Sequence, residues 1–188
     1  MRYITDERDP EGMELESGWV PESQAIYKSF LKRKDAGELV QMVQTHDIKK
    51  LTREGRLVFA TSGLEDPNKM YNSVLFYDEK EKKAIGLCQF GPYAQGPVGY
   101  VHGGAIATMA DIITSHICVY QLDEICVTKY LTINYRRGIP LNCPVLLEVW
   151  CVKTDERKVW IDYKMMNAKD KTVYADGESL WLHLKSVL

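Results

Sequence analysis

The sequence lacks a strong net charge and any concentrated basic segment. Its 188 residues contain 24 Lys and Arg against 26 Asp and Glu, a formal net charge of −2. No run of five or more basic residues occurs, so the charge pattern typical of a nucleic-acid-binding protein is missing. We therefore expect no nucleic-acid partner, and an anionic ligand must be met by a few individually placed cations.

A long uninterrupted apolar run is missing as well. The longest apolar-rich stretch, 103–122, contains Asp111, Thr114, Ser115 and His116 and begins with two glycines. Such a stretch is poor material for a membrane span, so we expect no transmembrane segment. The stretch is predicted to be a buried core helix.

The five cysteines include no C-x-x-C pair, and no apolar secretory segment begins the chain. Reduced thiols in an intracellular compartment are therefore expected. A mitochondrial presequence is rich in Arg and poor in acids, whereas the first residues here are acidic. We expect a cytoplasmic protein, or a mitochondrial one if a presequence has been removed. His46, His116 and His183 match no zinc spacing, so no metal is predicted.

Patterning divides the chain into three predicted parts. Residues 1–21 are acidic, contain Pro and Gly, and show no apolar period, which predicts a flexible acidic arm. Residues 22–55 are predicted as a helical segment, because two apolar groups follow helical spacing. These groups are Ile26, Phe30 and Leu31, then Leu39, Met42 and Val43. Residues 56–188 are predicted to form one domain with its own core.

After Gly55 the apolar period becomes two, which indicates β-strands. Strands are predicted at 57–60, 74–77, 84–90, 125–137, 145–153, 158–168 and 172–183, with a hairpin turn at 78–83. Several antiparallel strands with a long helix in mid-chain predict an α+β fold whose helices lie on one face of the sheet. A helix that is apolar on most sides must be wrapped, so we expect the hotdog fold, in which an antiparallel sheet curls around a central helix.

The start of this helix is a candidate oxyanion site. Gly103 and Gly104 let a ligand approach the backbone, and their amides belong to the unpaired N–H groups of a helix N-terminus. Such donors polarise a thioester carbonyl and stabilise the charge that develops when it is attacked. A tight turn with glycines chosen for packing is the alternative. His102, just before the helix, is expected to pack or to donate one hydrogen bond, with direct base catalysis as its alternative.

Asp111 is the candidate catalytic carboxylate. It lies in an otherwise apolar helix, where an unpaired carboxylate is costly to bury. Buried acids usually serve an ion pair or catalysis, and no Lys or Arg lies within one turn of Asp111. We therefore favour catalysis over a structural role.

Spacing along the helix predicts a homodimer. Gly103 and Asp111 are separated by about 12 Å of helix rise, so one thioester hardly reaches both in one chain. If two helices pair antiparallel about a two-fold axis, Asp111 of one subunit faces the helix start of the other. We expect a homodimer or a dimer of such dimers.

The strand after the helix is a candidate coenzyme A site. Period two places its polar side chains on one face, and a polar face ending in two arginines can hold a long phosphorylated tail. The side chains are Thr128, Tyr130, Thr132, Asn134 and Arg136. Arg157 and Lys158, in a predicted hairpin turn, are candidates for the same phosphates. The alternative for both groups of residues is that their side chains are simply solvated and bind no ligand.

Two motifs resemble a known family. His102-Gly103-Gly104-Ala105 followed by Asp111, then Asn134-Tyr135-Arg136-Arg137, is similar to hotdog thioesterases of the phenylacetate-degradation type. The fuller run from Gly96 to Met109 is most similar to the long-chain acyl-CoA thioesterases numbered four and five in the thioesterase superfamily. Two departures exist: Arg137 is followed by Gly138-Ile139-Pro140 rather than directly by Pro, and Gly96 stands where smaller bacterial relatives carry Asn.

The resemblance implies hydrolysis of medium- to long-chain acyl-CoA to fatty acid and coenzyme A, with no cofactor. It implies that Asp111 acts as nucleophile or general base, that the Gly103 amide polarises the carbonyl, and that Thr128 lies near the acid. Further contacts with the substrate are implied for Gly104, Asn134, Arg136, Arg157 and Lys158.

Two other functions stay open at this point. A hotdog hydratase or dehydratase acting on an enoyl or β-hydroxyacyl thioester also uses an acid and a helix N-terminus, but it favours a His and a carboxylate acting together. A non-catalytic protein that binds acyl-CoA is the alternative from another class. Cys118 and His116, two residues apart on the helix, point to different faces and make a poor nucleophile and base pair.

Overall fold

An eight-stranded antiparallel sheet organises the chain. The structure is a computed structural model that describes residues 18–44, 69–122 and 126–183. The strands are β1 (Leu39–Gln44), β2 (Tyr71–Asp78), β3 (Lys83–Phe90), β4 (Cys126–Leu131), β5 (Asn134–Tyr135), β6 (Pro144–Asp155), β7 (Lys158–Asn167) and β8 (Val173–His183). The helices are α1 (Pro21–Asp35) and α2 (Gly103–Leu122), and a 3₁₀ turn covers Pro92–Ala94. The strand order is β1-β2-β3-β6-β7-β8-β4, and β5 also pairs with β8.

One face of α2 packs against the sheet and forms the main core. Its buried residues recur every three or four positions, which is the spacing of one helix face. They are Ile106, Met109, Ala110, Ile113, Thr114, Ile117 and Cys118. The opposite face, with Ala107, Thr108, Asp111 and Ser115, is only half-buried. The antiparallel sheet and the central helix packed against it are thus confirmed.

The helix α1 lies on the other face of the sheet. Trp19, Tyr27 and Phe30 form a second cluster with Val74 and Phe76 of β2, whereas Leu75 and Tyr77 of the same strand belong to the α2 core. Successive side chains of a strand point to opposite faces, so both faces of β2 are covered. The prediction of helices on one face only is therefore wrong, and the prediction of an N-terminal helix is confirmed.

A buried glutamine anchors the start of α1. The Gln89 side chain accepts hydrogen bonds from the Val20 amide and the Ser23 hydroxyl, both at 2.9 Å, and donates to the Gly18 carbonyl at 2.9 Å. Trp19 packs edge-on against Tyr27 at 5.4 Å. The last residues of the predicted acidic arm therefore contribute to the core, and residues 1–17 lie outside the described residues.

The predicted second helix is a strand. Residues Leu39–Gln44 form β1, which pairs antiparallel with β2. Gly37, with a positive φ of 75°, turns the chain back after α1. Hydrogen bonding to the edge of the sheet therefore outweighs the weak helical spacing of Leu39, Met42 and Val43. The predicted strand at 57–60 lies outside the described residues, and the strands predicted between 74 and 90 and after 145 are confirmed.

The predicted continuous strand at 125–137 is interrupted. It consists of β4 and the two-residue β5, separated at Thr132 and Ile133. A register shift lies between Thr128, which pairs with Trp181, and Tyr130, which pairs with Leu180. Paired residues share a face and neighbouring residues alternate, so Thr128 and Tyr130 point to opposite faces. The prediction that these polar residues share one face is therefore wrong for Thr128.

Two predicted absences concern the described part of the chain. No helix there is both long and apolar enough to cross a bilayer. Within the same ranges, no group of three or more His, Cys, Asp or Glu side chains is arranged to hold a metal ion.

A buried carboxylate connects α1 to the turn between β2 and β3. Asp78 Oδ1 accepts from the amides of Lys80 and Glu81 at 3.1 and 3.0 Å, and Oδ2 accepts from Arg33 at 3.0 Å. The Glu81 amide contributes most to lowering the pKa of Asp78, and Arg33 adds to the effect. The ionised form is therefore favoured in the folded protein.

Asp78→Asn is expected to lower the free energy of unfolding at pH 7 by about 1–2 kcal/mol, because hydrogen bonds to a charged group are lost. The pKa of Asp78 is lower in the folded state than the unfolded value of about 3.9, so the ionised carboxylate stabilises the folded protein above that pH. This stabilisation is lost as the pH falls through the folded-state pKa. Urea unfolding at pH 7 and pH 3 should show that the difference in free energy of unfolding between wild type and Asp78→Asn is smaller at pH 3. Asp155→Asn, at the exposed end of β6, is the control; an equal difference at both pH values would contradict the assignment.

Candidate active site

The loop before α2 brings the chain close to the helix start. The Gly96 amide donates to the Tyr100 carbonyl at 2.9 Å, and the His102 amide donates to the Ala94 carbonyl at 2.7 Å. A Cβ atom on Gly96 would lie 2.9 Å from His102 Cα, a distance that the backbone could not accept without shifting. This close approach favours glycine at position 96.

His102 caps the helix. Its Nδ1 atom accepts a hydrogen bond from the Gly104 amide at 2.9 Å, and its carbonyl accepts from the amides of Ala105 and Ile106. A ring nitrogen that accepts carries no proton, so this geometry requires the tautomer with hydrogen on Nε2. His102 thus accepts a hydrogen bond rather than donating one. The Gly104 amide is occupied by this bond, which argues against its use as a substrate donor.

The Gly103 amide is the donor that remains at the helix start. No acceptor among residues 18–44, 69–122 and 126–183 bonds to it. The positive end of the helix dipole lies at the same place. The position predicted from the sequence for an oxyanion donor therefore holds an available N–H group.

Thr128 lies beside Asp111. The Thr128 hydroxyl donates to Asp111 Oδ1 at 2.8 Å. The register shift in β4 turns Thr128 towards α2, which makes this bond possible. The Thr114 and Ser115 hydroxyls, in contrast, bond to carbonyls of their own helix, those of Ala110 at 2.8 Å and Ile112 at 2.7 Å. No ion pair joins Asp111 to a cation in the described ranges.

Gly103 and Asp111 do not meet within the chain. Both lie on the straight run of α2, where their separation corresponds to a rise of about 12 Å. A thioester carbonyl polarised by the Gly103 amide is therefore out of reach of the Asp111 carboxylate of the same subunit.

The predicted coenzyme A contacts form two separate groups. Asn134 and Arg136 both bond to Asp176 on β8, at 3.3 Å for Asn134 and at 2.5 and 3.1 Å for the guanidinium. Lys158 lies opposite Leu182 on β8, and Leu182 is six residues beyond Asp176 on that strand. Six residues of strand span about 20 Å. One phosphate group therefore cannot contact both groups in a single chain.

The Arg136 guanidinium is already engaged in the structure. Its two-point contact with the Asp176 carboxylate contributes most to holding the pKa of Asp176 below its usual range. The hydrogen bond from the Asn134 amide adds to this effect. Arg157 and Lys158 are exposed, and within the described ranges the Arg157 side chain donates one long hydrogen bond of 3.4 Å, to the His183 carbonyl. Sequence reasoning missed Asp176 because an acid forty positions away in the chain gives no local signal.

Cys118 and His116 of α2 are poor candidates for a nucleophile and its base. A hydrogen bond with Cys126, together with burial, raises the pKa of the Cys118 thiol. Thiolate is the reactive form, so this environment disfavours attack by Cys118. Burial lowers the pKa of His116 to about 4, which keeps its ring neutral near pH 7.

Tyr135 was also missed as a site residue. Its hydroxyl donates to the Gly103 carbonyl at 3.1 Å, beside the predicted oxyanion donor. The available signal was its place between Asn134 and Arg136, but spacing alone could not place its side chain at the helix start.

Known proteins resemble this chain in sequence. A family model described as the thioesterase superfamily matches residues 98–174. Acyl-coenzyme A thioesterase THEM4 of Bos taurus is 30% identical over 183 residues, covering 88% of this chain and 75% of the bovine protein. The THEM4 protein of Xenopus laevis is 33% identical over 132 residues, covering 70% of this chain. The aligned part spans 58% of the length of the frog protein.

Solved structures support the fold. Zebra fish thioesterase superfamily member 2 aligns with a TM-score of 0.59 at 16% identity, covering 74% of this chain and 94% of that one. A further thioesterase superfamily protein aligns with a TM-score of 0.53 at 26% identity, covering 58% of this chain and 53% of that one. The hotdog fold and the family resemblance predicted from the motifs are both confirmed. The chain therefore belongs to the thioesterase superfamily, together with the acyl-coenzyme A thioesterases THEM4 and THEM5.

Proposed function

We propose that this protein hydrolyses medium- to long-chain acyl-CoA thioesters to fatty acid and coenzyme A, with Asp111 as the catalytic carboxylate. The observation that carries the proposal is the carboxylate on the half-buried face of α2, held by Thr128 at 2.8 Å. The curated relatives are named acyl-coenzyme A thioesterases, which supports the same substrate class.

Asp111 acts in one of two ways in this proposal. As a general base it takes a proton from water, which attacks the carbonyl carbon; as a nucleophile it attacks the carbon itself and water then cleaves the anhydride. In both routes the C–S bond breaks and the departing sulfur takes up a proton. The Thr128 hydroxyl orients the carboxylate, and no cofactor is needed because coenzyme A is part of the substrate.

The Gly103 amide stabilises the oxygen that becomes negative during the attack. Its N–H group lies at the positive end of α2, where the dipole favours an anion. Solvent competes weakly for a donor of this kind once a substrate covers it, which strengthens the interaction.

A dimer completes the site in this proposal. The exposed edge strand β4 and the half-buried face of α2 are the surfaces that a second subunit would cover. Antiparallel pairing of two α2 helices sets Asp111 of one subunit against the Gly103 amide of the other and gives two equivalent sites. A dimer of dimers remains compatible with this arrangement.

The two groups of coenzyme A contacts fit such a shared site. The Asn134 and Arg136 group and the Arg157 and Lys158 group lie too far apart to bind one phosphate from a single chain. Each is proposed to bind a different part of the substrate. A cytoplasmic location, or a mitochondrial one after loss of a presequence, stays a prediction from the sequence.

Asp111→Asn is expected to reduce the release of coenzyme A thiol from palmitoyl-CoA at least about 100-fold, because an amide can serve neither as base nor as nucleophile. A thiol reagent monitors the release, and absorbance of an enoyl-CoA monitors hydration in parallel. Asp155→Asn, at the exposed end of β6, is the matched control. Full thiol release by Asp111→Asn would remove the proposed mechanism, and loss of the enoyl band alone would favour a hydratase.

Mixed dimers test whether the site is shared. One chain carries Asp111→Asn and the other Gly103→Pro, which removes the amide hydrogen at a helix position that accepts proline, and differently tagged copies are purified together. If each site takes its acid from one subunit and its amide from the other, one of the two sites in the mixed dimer is intact. About half of the wild-type rate per dimer is then expected, whereas both single-variant homodimers are inactive. An inactive mixed dimer would place both groups of a site in one chain.

Arg136→Ala is expected to raise KM for palmitoyl-CoA with little change in kcat, because uniform binding is lost. Asp176→Asn frees the guanidinium from its carboxylate partner and is expected to lower KM, most clearly at low ionic strength. Lys171→Ala, another exposed cation, is the control. Equal KM values for Arg136→Ala and wild type would show that Arg136 serves the surface ion pair with Asp176 and does not bind the substrate.

A further inference from the structure

Tyr135 stands at the helix start although it belongs to a distant part of the chain. The short strand β5 pairs with β8, and Tyr135 lies opposite Ala175, a core residue on the α2 side of the sheet. The phenol ring therefore points towards α2. Its exposed fraction is 55%, so packing in the core does not explain its position.

Hydrogen bonds fix the two-residue segment between β4 and β5. The Thr132 carbonyl accepts from the buried Tyr163 hydroxyl at 3.0 Å, and the Thr132 amide donates to the Glu178 carbonyl at 2.8 Å. A Cβ atom on Gly177 would collide with the Thr132 carbonyl, so the absence of a side chain there lets the two strands approach. One segment thus delivers Thr128 to Asp111 and Tyr135 to Gly103.

The Tyr135 ring covers one flank of Gly103. Three of its atoms lie 3.6 Å from the position where a Cβ atom on Gly103 would stand. This is ordinary van der Waals contact. The ring therefore lies in contact with one side of Gly103, next to the residue that carries the available amide.

Both polar groups of one peptide unit are held by side chains. The Gly103 carbonyl accepts from the Tyr135 hydroxyl at 3.1 Å, and the Gly104 amide, in the same peptide unit, donates to His102 Nδ1 at 2.9 Å. Two successive glycines have more backbone freedom than any other pair of residues. The Gly103 N–H group belongs to the preceding peptide unit, which shares the Gly103 Cα atom with this one. Holding the Gly103–Gly104 peptide therefore limits rotation about that atom and, with it, the direction of the Gly103 N–H group.

We propose that Tyr135 is a positioning residue of the acyl site, which fixes the Gly103–Gly104 peptide through its hydroxyl and borders the bound thioester carbonyl with its ring. The proposal deepens the proposed function and depends on it. A donor that is already oriented costs no reorganisation when charge develops, so the effect falls on the chemical step rather than on binding.

Tyr135→Phe keeps the ring and removes the hydroxyl. Its kcat for palmitoyl-CoA is expected to fall about three- to tenfold, the equivalent of one neutral hydrogen bond, with KM unchanged. The inhibition constant of free coenzyme A, which has no acyl carbonyl, is expected to stay at the wild-type value. The exposed Tyr100 lies at the same end of α2, and its hydroxyl bonds to no described residue, so Tyr100→Phe is the matched control with wild-type kinetics.

The outcomes separate this inference from the proposed function. A wild-type kcat for Tyr135→Phe would overturn the positioning role, as would an equal rise in KM and in the inhibition constant, which would assign Tyr135 to coenzyme A binding. Asp111→Asn is assayed in the same series. If that variant stays fully active, the proposed function fails; if it is inactive and Tyr135→Phe equals wild type, only the inference about Tyr135 fails.

Discussion

Burial of one face of α2 against the antiparallel sheet is the constraint on which the rest of the structure depends. Met109, Ile113 and Ile117 have no exposed surface, so the rotation of the helix about its axis is fixed by close packing. That rotation leaves Asp111 on the opposite face. The acid is therefore accessible to a hydroxyl donor and to a ligand, although its neighbours in the sequence are apolar.

The segment after α2 converts this packing into a site. A regular strand would point Thr128 and Tyr130 to the same face, and the register shift between them sends only Thr128 towards the helix. The same shift sets Tyr135, five residues after Tyr130, on the α2 side as well, where its hydroxyl reaches the Gly103 carbonyl. An irregularity of this kind costs sheet hydrogen bonds, and here it lies where the strand passes Asp111.

Much of the fold was predictable, because periodicity and turn residues are local signals. The long helix, the hairpin at 78–83 and the strands after 145 agree with their patterns. Leu39–Gln44 was not predictable as a strand, since its apolar spacing suits a helix and only the pairing with β2 decides its conformation. The face that α1 covers was equally hidden, because Tyr27 and Phe30 specify that the helix packs but not on which side of the sheet.

By itself, the sequence determined the family, the central helix and the identity of its single acid, because these depend on residue types at short and regular spacings. Only the tertiary structure decided which groups meet: Thr128 with Asp111, His102 with the Gly104 amide, and Arg136 with an aspartate forty positions away. The reason is physical. Side-chain contacts between distant segments depend on register, twist and the rotation of packed helices, and a shift of one residue in any of these reverses the direction in which a side chain points.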